Sequence, residues 1–189
     1  MSRWEPNARE RLAQAALDLY AERGFEQTTV AEIAKRTGLT ERTFFRHFAD
    51  KREVLFSGGA DLQEAMVGGV LGAPESAAPM DAVCGGLVAG GGLLQERRPF
   101  ALKRSGVIAA SAELQERELI KLAGLAAALA DALRRRGVTE PTASLTAQTG
   151  IGVFHVSFAR WVEEGNELGL PELIRDSLDQ LRAVTAGAR

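Results

Sequence analysis

From Thr40 to Lys51 the chain reads TERTFFRHFADK. In a helix beginning near Thr40, Phe44 and Phe48 fall four apart on one face and turn inward. Glu41, Arg42, Thr43, Phe45, Arg46 and His47 are then left facing out. That face carries two guanidiniums, a hydroxyl, an aromatic ring and an imidazole, a chemistry suited to a nucleic-acid duplex. An arginine can donate two parallel hydrogen bonds to guanine O6 and N7. The Thr43 methyl or hydroxyl can meet a base edge, and His47 and Lys51 are placed to hold phosphates. A solvated helix with ordinary surface charges would look similar on its own, so the neighbouring elements decide between the two readings.

Those elements are marked by their caps. Thr29 with Glu32 has capping-box spacing, as do Asn7 with Glu10 after Pro6, and Asp50 with Glu53. Thr40 is a good N-cap for the central helix. Gly38 stands where a helix would end in a left-handed residue, which glycine adopts without steric cost. Helices are predicted over about 7–23, 29–36, 40–47 and 50 onward. This gives two short helices joined by a tight glycine turn, followed at once by a third. Leu12, Ala16, Leu19 and Phe25, then Val30, Ile33, Ala34 and Leu39, then Phe44, Phe48, Val54 and Leu55 supply one small core. Backbone N–H groups at the starts of the 29–36 and 50-onward helices are further anion donors.

Thr29, Ile33, Ala34, Gly38, Leu39, Thr40, Thr43, Phe44, Phe45, His47, Phe48, Lys51 and Leu55 form a spaced run. The run resembles the signature of the TetR family of bacterial transcriptional repressors, over about residues 7–56. The preceding AALDLYAERGFEQTTV is similar to that family's first helix and turn. The resemblance implies an all-α fold of about nine helices. An N-terminal three-helix DNA-binding domain with a helix-turn-helix would occupy 1–56, and a C-terminal helical ligand-binding and dimerisation domain 57–189. It implies that Thr29 contacts phosphate, that Thr40 at the start of the recognition helix is also a DNA-binding residue, and that Thr43 and Arg46 reach base edges. Glu41 and Arg42 would help set sequence preference, and His47 and Lys51 would hold phosphates. Phe45 stands where the family often has tyrosine; lacking the hydroxyl, it is left with apolar contact to sugar or a thymine methyl.

A formal net charge of −2 is unusual for a DNA binder. Residues 1–56 hold ten Lys/Arg against nine Asp/Glu, and 57–189 hold thirteen against sixteen. Neither half is strongly basic, so non-specific affinity for DNA is expected to be modest. A single cysteine, Cys84, excludes an internal disulfide and fits a reducing compartment. No signal peptide and no run of about 18 apolar residues is seen, so a cytoplasmic protein without membrane contact is expected.

Nothing in the chain reads as an enzyme site. GGLVAGGGLL, residues 85–94, is glycine-rich but lacks the G-K-[ST] ending of a phosphate loop. It reads as a poorly helical or kinked stretch with close helix packing. His155 has no Cys or His at metal spacing, and Cys84 reads as a small buried hydrophobe. No metal and no cofactor are expected.

After a loop at residues 68–81, five further helices are predicted near 79–95, 97–109, 112–136, 142–165 and 170–186. Ser111 is placed to cap the third of them, Gly137 to end it, and Pro171 to sit in the first turn of the last. Leu145, Val153, Phe154, Val156, Phe158 and Trp161 cluster on one helix. Leu170, Leu173, Ile174, Leu178, Leu181 and Val184 stripe the next. Two such helices meeting their symmetry mates would make a four-helix bundle. The family resemblance implies the same homodimer, with recognition helices about 34 Å apart on a near-palindromic operator in double-stranded DNA. It also implies a small-molecule effector pocket, whose expected lining is Phe100, Arg104, Ile108, His155, Phe158 and Trp161. The alternative is a DNA-binding adaptor or nucleoid-type protein without a small-molecule ligand.

Overall fold

The computed structural model describes residues 8–187. Among them every regular element is a helix: α1 Ala8–Arg23, α2 Val30–Thr37, α3 Glu41–His47, α4 Glu53–Phe56, α5 Gly59–Leu71, α6 Pro79–Gln95, α7 Arg98–Ala109, α8 Ala112–Arg135, α9 Thr142–Val162 and α10 Leu170–Thr185. The fold is all-α, with a helix-turn-helix near its start. α4 is a single turn. The helix expected from residue 50 onward is broken at Ser57 and Gly58, which leaves ten helical segments where about nine were anticipated. α5 also runs on to Leu71, so the loop expected over 68–81 is confined to 72–78. The expected Asn7–Glu10 capping box lies partly outside the described residues.

Two compact units emerge, and they are not consecutive in sequence. The first takes the chain up to Gly58 together with Pro99–Glu118; the second takes Gly59–Arg98 and Leu119–Arg189. An expected boundary at 56/57 therefore misses a segment of the first unit. The physical reason is that residues 99–118 help complete its core. Val107, Ile108 and Leu114 are buried with Leu12, Ala16, Leu19, Tyr20, Phe25, Ile33, Phe44, Phe48, Val54 and Leu55. A unit of under about 60 residues buries a smaller share of its surface than a larger one and is harder to stabilise for that reason. Polar ties reinforce the packing: Lys103 pairs with Asp18, Arg52 with Glu113, and Arg117 with Glu53.

In the second unit, residues 85–94 are continuous α-helix within α6. Its glycines serve close packing. A side chain on Gly86 would strike the Met66 carbonyl and Val70 on α5, and one on Gly90 would strike Met66. α8 ends at Gly137, which is left-handed at φ 87°, and its last turn returns hydrogen bonds from Gly137 and Val138 to Arg134 and Leu133. The Arg136 guanidinium donates to the carbonyls of Ala73 and Pro74, just past the end of α5. On α9, Val153, Phe154 and Trp161 are buried, whereas Leu145 and Val156 are 64% and 56% exposed. On α10, Leu170, Leu173, Ile174 and Leu178 are buried and Val184 is exposed. The apolar stripes read from the sequence thus divide into an inward set and an outward remainder.

Candidate nucleic-acid interface

The α2–turn–α3 segment is built as its caps predict. The Thr29 hydroxyl accepts from the Glu32 N–H at 3.3 Å, and the Glu32 carboxylate accepts from the Thr29 N–H at 2.9 Å. Gly38 is left-handed at φ 69°, with its N–H on the Lys35 carbonyl and the Leu39 N–H on that of Ala34. The Thr40 hydroxyl accepts from the Thr43 N–H, and the two threonine hydroxyls lie 3.0 Å apart. Phe44 is wholly buried and packs 5.4 Å from Phe48, which fixes the roll of α3 about its axis.

With that roll set, Glu41, Arg42, Phe45 and Arg46 are exposed and Thr43 and His47 are half-buried. Phe45 stands edge-on to Phe44 with 54% of its surface open, a costly position for a ring unless something covers it. Arg42 and Arg46 make no ion pair among the described residues. Nearby arginines are neutralised: Arg23 by Glu32, Arg36 by Glu22 and Arg52 by Asp50. The outer face of α3 therefore keeps uncompensated positive charge. The His47 ring lies 3.5 Å from the Arg46 guanidinium. Burial first, then the positive charges of Arg46 and Arg9, hold its pKa below the usual 6.5. Arg9, whose guanidinium lies 5.6 Å from the Phe48 ring centroid, is a member of this cationic edge that the spacing argument missed.

The structure engages several of the expected contact groups in hydrogen bonds within the unit. Lys51, expected to hold a phosphate, makes its contacts within the first unit. Its ammonium donates to the carbonyls of Phe25, Thr28 and Glu26 at 2.9, 3.2 and 3.3 Å, and lies 4.3 Å from the Phe25 ring centroid. The turn between α1 and α2 leaves those carbonyls without helical partners, and an ammonium with three protons matches them. The Thr29 hydroxyl, expected on phosphate, is engaged within its own capping box, where it also donates to Glu32. The helix starts named as anion sites are both occupied by carboxylates, Glu32 at α2 and Asp50 at α4, where Asp50 accepts from the N–H groups of Arg52 and Glu53. Hydrogen bonding from Thr29 holds the Glu32 carboxyl below the usual carboxylate range. Glu53 does not close a capping box back onto Asp50; its carboxylate pairs with Arg117.

The six expected pocket residues are not gathered in one unit. Phe100, Arg104 and Ile108 belong to the first. Ile108 is buried in its core, Phe100 packs against it, and the Arg104 guanidinium donates to the Leu55 carbonyl at 2.6 Å and pairs with Glu118. His155, Phe158 and Trp161 lie on α9 in the second unit. There His155 is exposed, Phe158 half-buried and Trp161 wholly buried, with the Phe158 and Trp161 rings 5.6 Å apart. The helical period turns Ser157 and Trp161 inward with Phe154, which leaves 155 and 156 facing out. A cleft of about 280 Å³ in the second unit uses other residues: Asp81, Cys84, Arg175, Leu178, Asp179 and Arg182. Cys84 is half-buried there, and burial pushes its thiol pKa up.

Comparison with known proteins agrees with this architecture. Residues 12–57 match the family model described as bacterial regulatory proteins, tetR family, and residues 77–186 match the MftR C-terminal domain. The chain is 38% identical over 77 residues to TcmR, an HTH-type transcriptional regulator of Streptomyces glaucescens; the match covers 41% of this chain and about a third of TcmR. It is 26% identical over 176 residues to the regulator MftR of Mycobacterium tuberculosis, covering 91% of this chain and 88% of that one. Among solved structures, a transcriptional regulator of Pseudomonas aeruginosa PAO1 superposes with a TM-score of 0.67 at 16% identity, covering 99% of this chain and 95% of that one. The regulator FadR of Bacillus subtilis, in complex with stearoyl-CoA, superposes with a TM-score of 0.65 at 21% identity, covering 91% and 96%. Among the described residues no helix is long and apolar enough to cross a membrane. The chain belongs to the TetR family of bacterial transcriptional regulators.

Proposed function

We propose that this chain acts as a homodimeric repressor, binding a near-palindromic operator through α3 and leaving it when a small molecule binds. The observation that carries the DNA reading is the outer face of α3, where Arg42 and Arg46 have no carboxylate and Phe45 is open. Arg46 and Thr43 are assigned to base edges, Glu41 and Arg42 to sequence preference, and His47 with Arg9 to phosphate. Lys51 is assigned to holding the α1–α2 turn. Thr29 and Thr40 are assigned to placing the helices that approach DNA.

The homodimer reading is supported by the outward remainder of α9 and α10. Leu145, Val156 and Val184 are large apolar side chains left open at helical spacing, as an interface core requires. The effector reading is supported by fold likeness to FadR structures holding stearoyl-CoA and lauroyl-CoA. Acyl thioesters are accordingly the first compounds to assay. An effector that favours a non-binding dimer geometry by about 1–3 kcal/mol would lower operator affinity roughly 5–150-fold. A cytoplasmic location follows from this role.

Selection of bound duplexes from random DNA tests the reading. A recovered motif with dyad symmetry and half-sites one helical turn apart is expected. Recovery of no motif would favour the nucleoid-type alternative. A motif that no acyl thioester or other metabolite releases would favour the ligand-free adaptor.

A further inference from the structure

Among the described residues, Arg98 and Trp161 leave two buried donors without an acceptor. Trp161 has no exposed surface, and its Nε1–H meets no partner. The Arg98 Nε–H, also buried, meets none either. Another nitrogen of the same guanidinium is engaged: Nη2 donates to the carbonyl of Asn166 at 2.7 Å and, more weakly, to that of Trp161 at 3.4 Å. The guanidinium lies 5.7 Å from the Trp161 ring centroid. No carboxylate pairs with Arg98 among the described residues, so its charge is opposed only by carbonyl dipoles. The groups around it are already matched. Asn166 closes the loop onto Leu168, and the Gln95 side-chain oxygen accepts from the Leu170 N–H.

A buried donor left unpaired is destabilising, and two donors cannot satisfy each other. Both call for a lone pair, and the uncompensated guanidinium favours an anionic one. Phe158 lies beside Trp161, with Phe154 6.1 Å beyond it, so that the neighbouring wall is aromatic. We propose that this corner of the second unit binds the carboxylate of a small organic acid. The carboxylate accepts from Arg98 Nε–H and Trp161 Nε1–H, and the acid's apolar body lies along Phe158. The inference rests on the effector reading for its regulatory meaning; the binding itself is independent of DNA.

The test compares hexanoate with hexanol, which share an apolar body and differ in charge. In the Trp4→Phe protein Trp161 is the sole tryptophan, and its fluorescence reports occupancy. Hexanoate should change the emission saturably, and hexanol should bind at least about tenfold more weakly. By calorimetry, Arg98→Met and Trp161→Phe should each weaken hexanoate by about tenfold or more, with thermal melts showing that both variants fold. Trp161→Phe keeps most of the ring and removes the N–H. Equal response to acid and alcohol, undiminished binding in either folded variant, or a crystal structure with a water bridging both donors and no acid bound in its presence would overturn the proposal. Operator release is read separately. Hexanoate that binds but leaves the operator complex intact supports the site and counts against this site as the effector's. Absence of hexanoate binding removes the site and leaves the DNA reading standing.

Discussion

Replacing Lys51 with methionine distinguishes a structural tie from a phosphate contact. Methionine keeps most of the stem and loses the ammonium. The structure places that ammonium on three carbonyls of the turn between α1 and α2, and over Phe25. The site is half-buried, so each bond is taken at about 1 kcal/mol rather than the larger value of a fully buried charged bond. The ring contact adds about 0.5–1 kcal/mol. Against this stands the entropy of holding a lysine in one rotamer, about 1.5–2 kcal/mol. The net loss on substitution is then about 2 kcal/mol, which lowers Tm by roughly 4–8 °C in a chain of this size. An exposed lysine that only touches DNA would change stability by no more than about 0.5 kcal/mol. The assay is a thermal melt of the free protein paired with operator binding across a salt series. The structural reading predicts the lower Tm with an unchanged salt slope. An unchanged Tm with a slope smaller by about one would refute it and restore Lys51 as a phosphate contact.

Arg46→Ala should cost about 1–3 kcal/mol at one operator position and relax specificity there, which selection with the variant would show as a degenerate base. Operator affinity should rise as the pH falls from about 7.5 to 5.5, because phosphate raises a His47 pKa that burial and neighbouring cations hold low in the free protein, so binding takes up a proton; His47→Gln should flatten that dependence. Gly86→Ala should destabilise by about 1–3 kcal/mol in denaturant titrations, since the new methyl would meet the Met66 carbonyl. Gly124→Ala, with open space around it, should stabilise by about 0.5–1 kcal/mol. Val156→Glu with Leu145→Glu should convert a dimer to monomers in sedimentation, and an unaltered dimer would place the interface elsewhere.

Local signals read well along this chain. Thr29 with Glu32, Gly38 and Thr40 each mark a boundary through a hydrogen bond made within a few residues, so their spacing alone predicts α2, the turn and α3. Phe44 and Phe48 fix which side of α3 faces out in the same way. The carbonyl contacts of Lys51 were not legible, because its partners, Phe25, Glu26 and Thr28, lie more than twenty residues away, and nothing local distinguishes a lysine aimed at carbonyls from one aimed at solvent. The same limit hid the share of residues 99–118 in the first core: Val107, Ile108 and Leu114 read as an apolar face without saying what it covers. His155 and Trp161 share a helix, yet only the packing decides that one is open and the other closed.

The central claim is that α3 reads a specific duplex. The most direct measurement is fluorescence anisotropy of the full chain against the intergenic DNA beside its own gene, with a scrambled duplex as control, at physiological salt. Binding at about nanomolar concentration to the first duplex, two subunits per site and at least about a thousandfold preference over the second, is predicted. Equal weak binding to both, followed by a selection from random DNA that yields no motif, would contradict it.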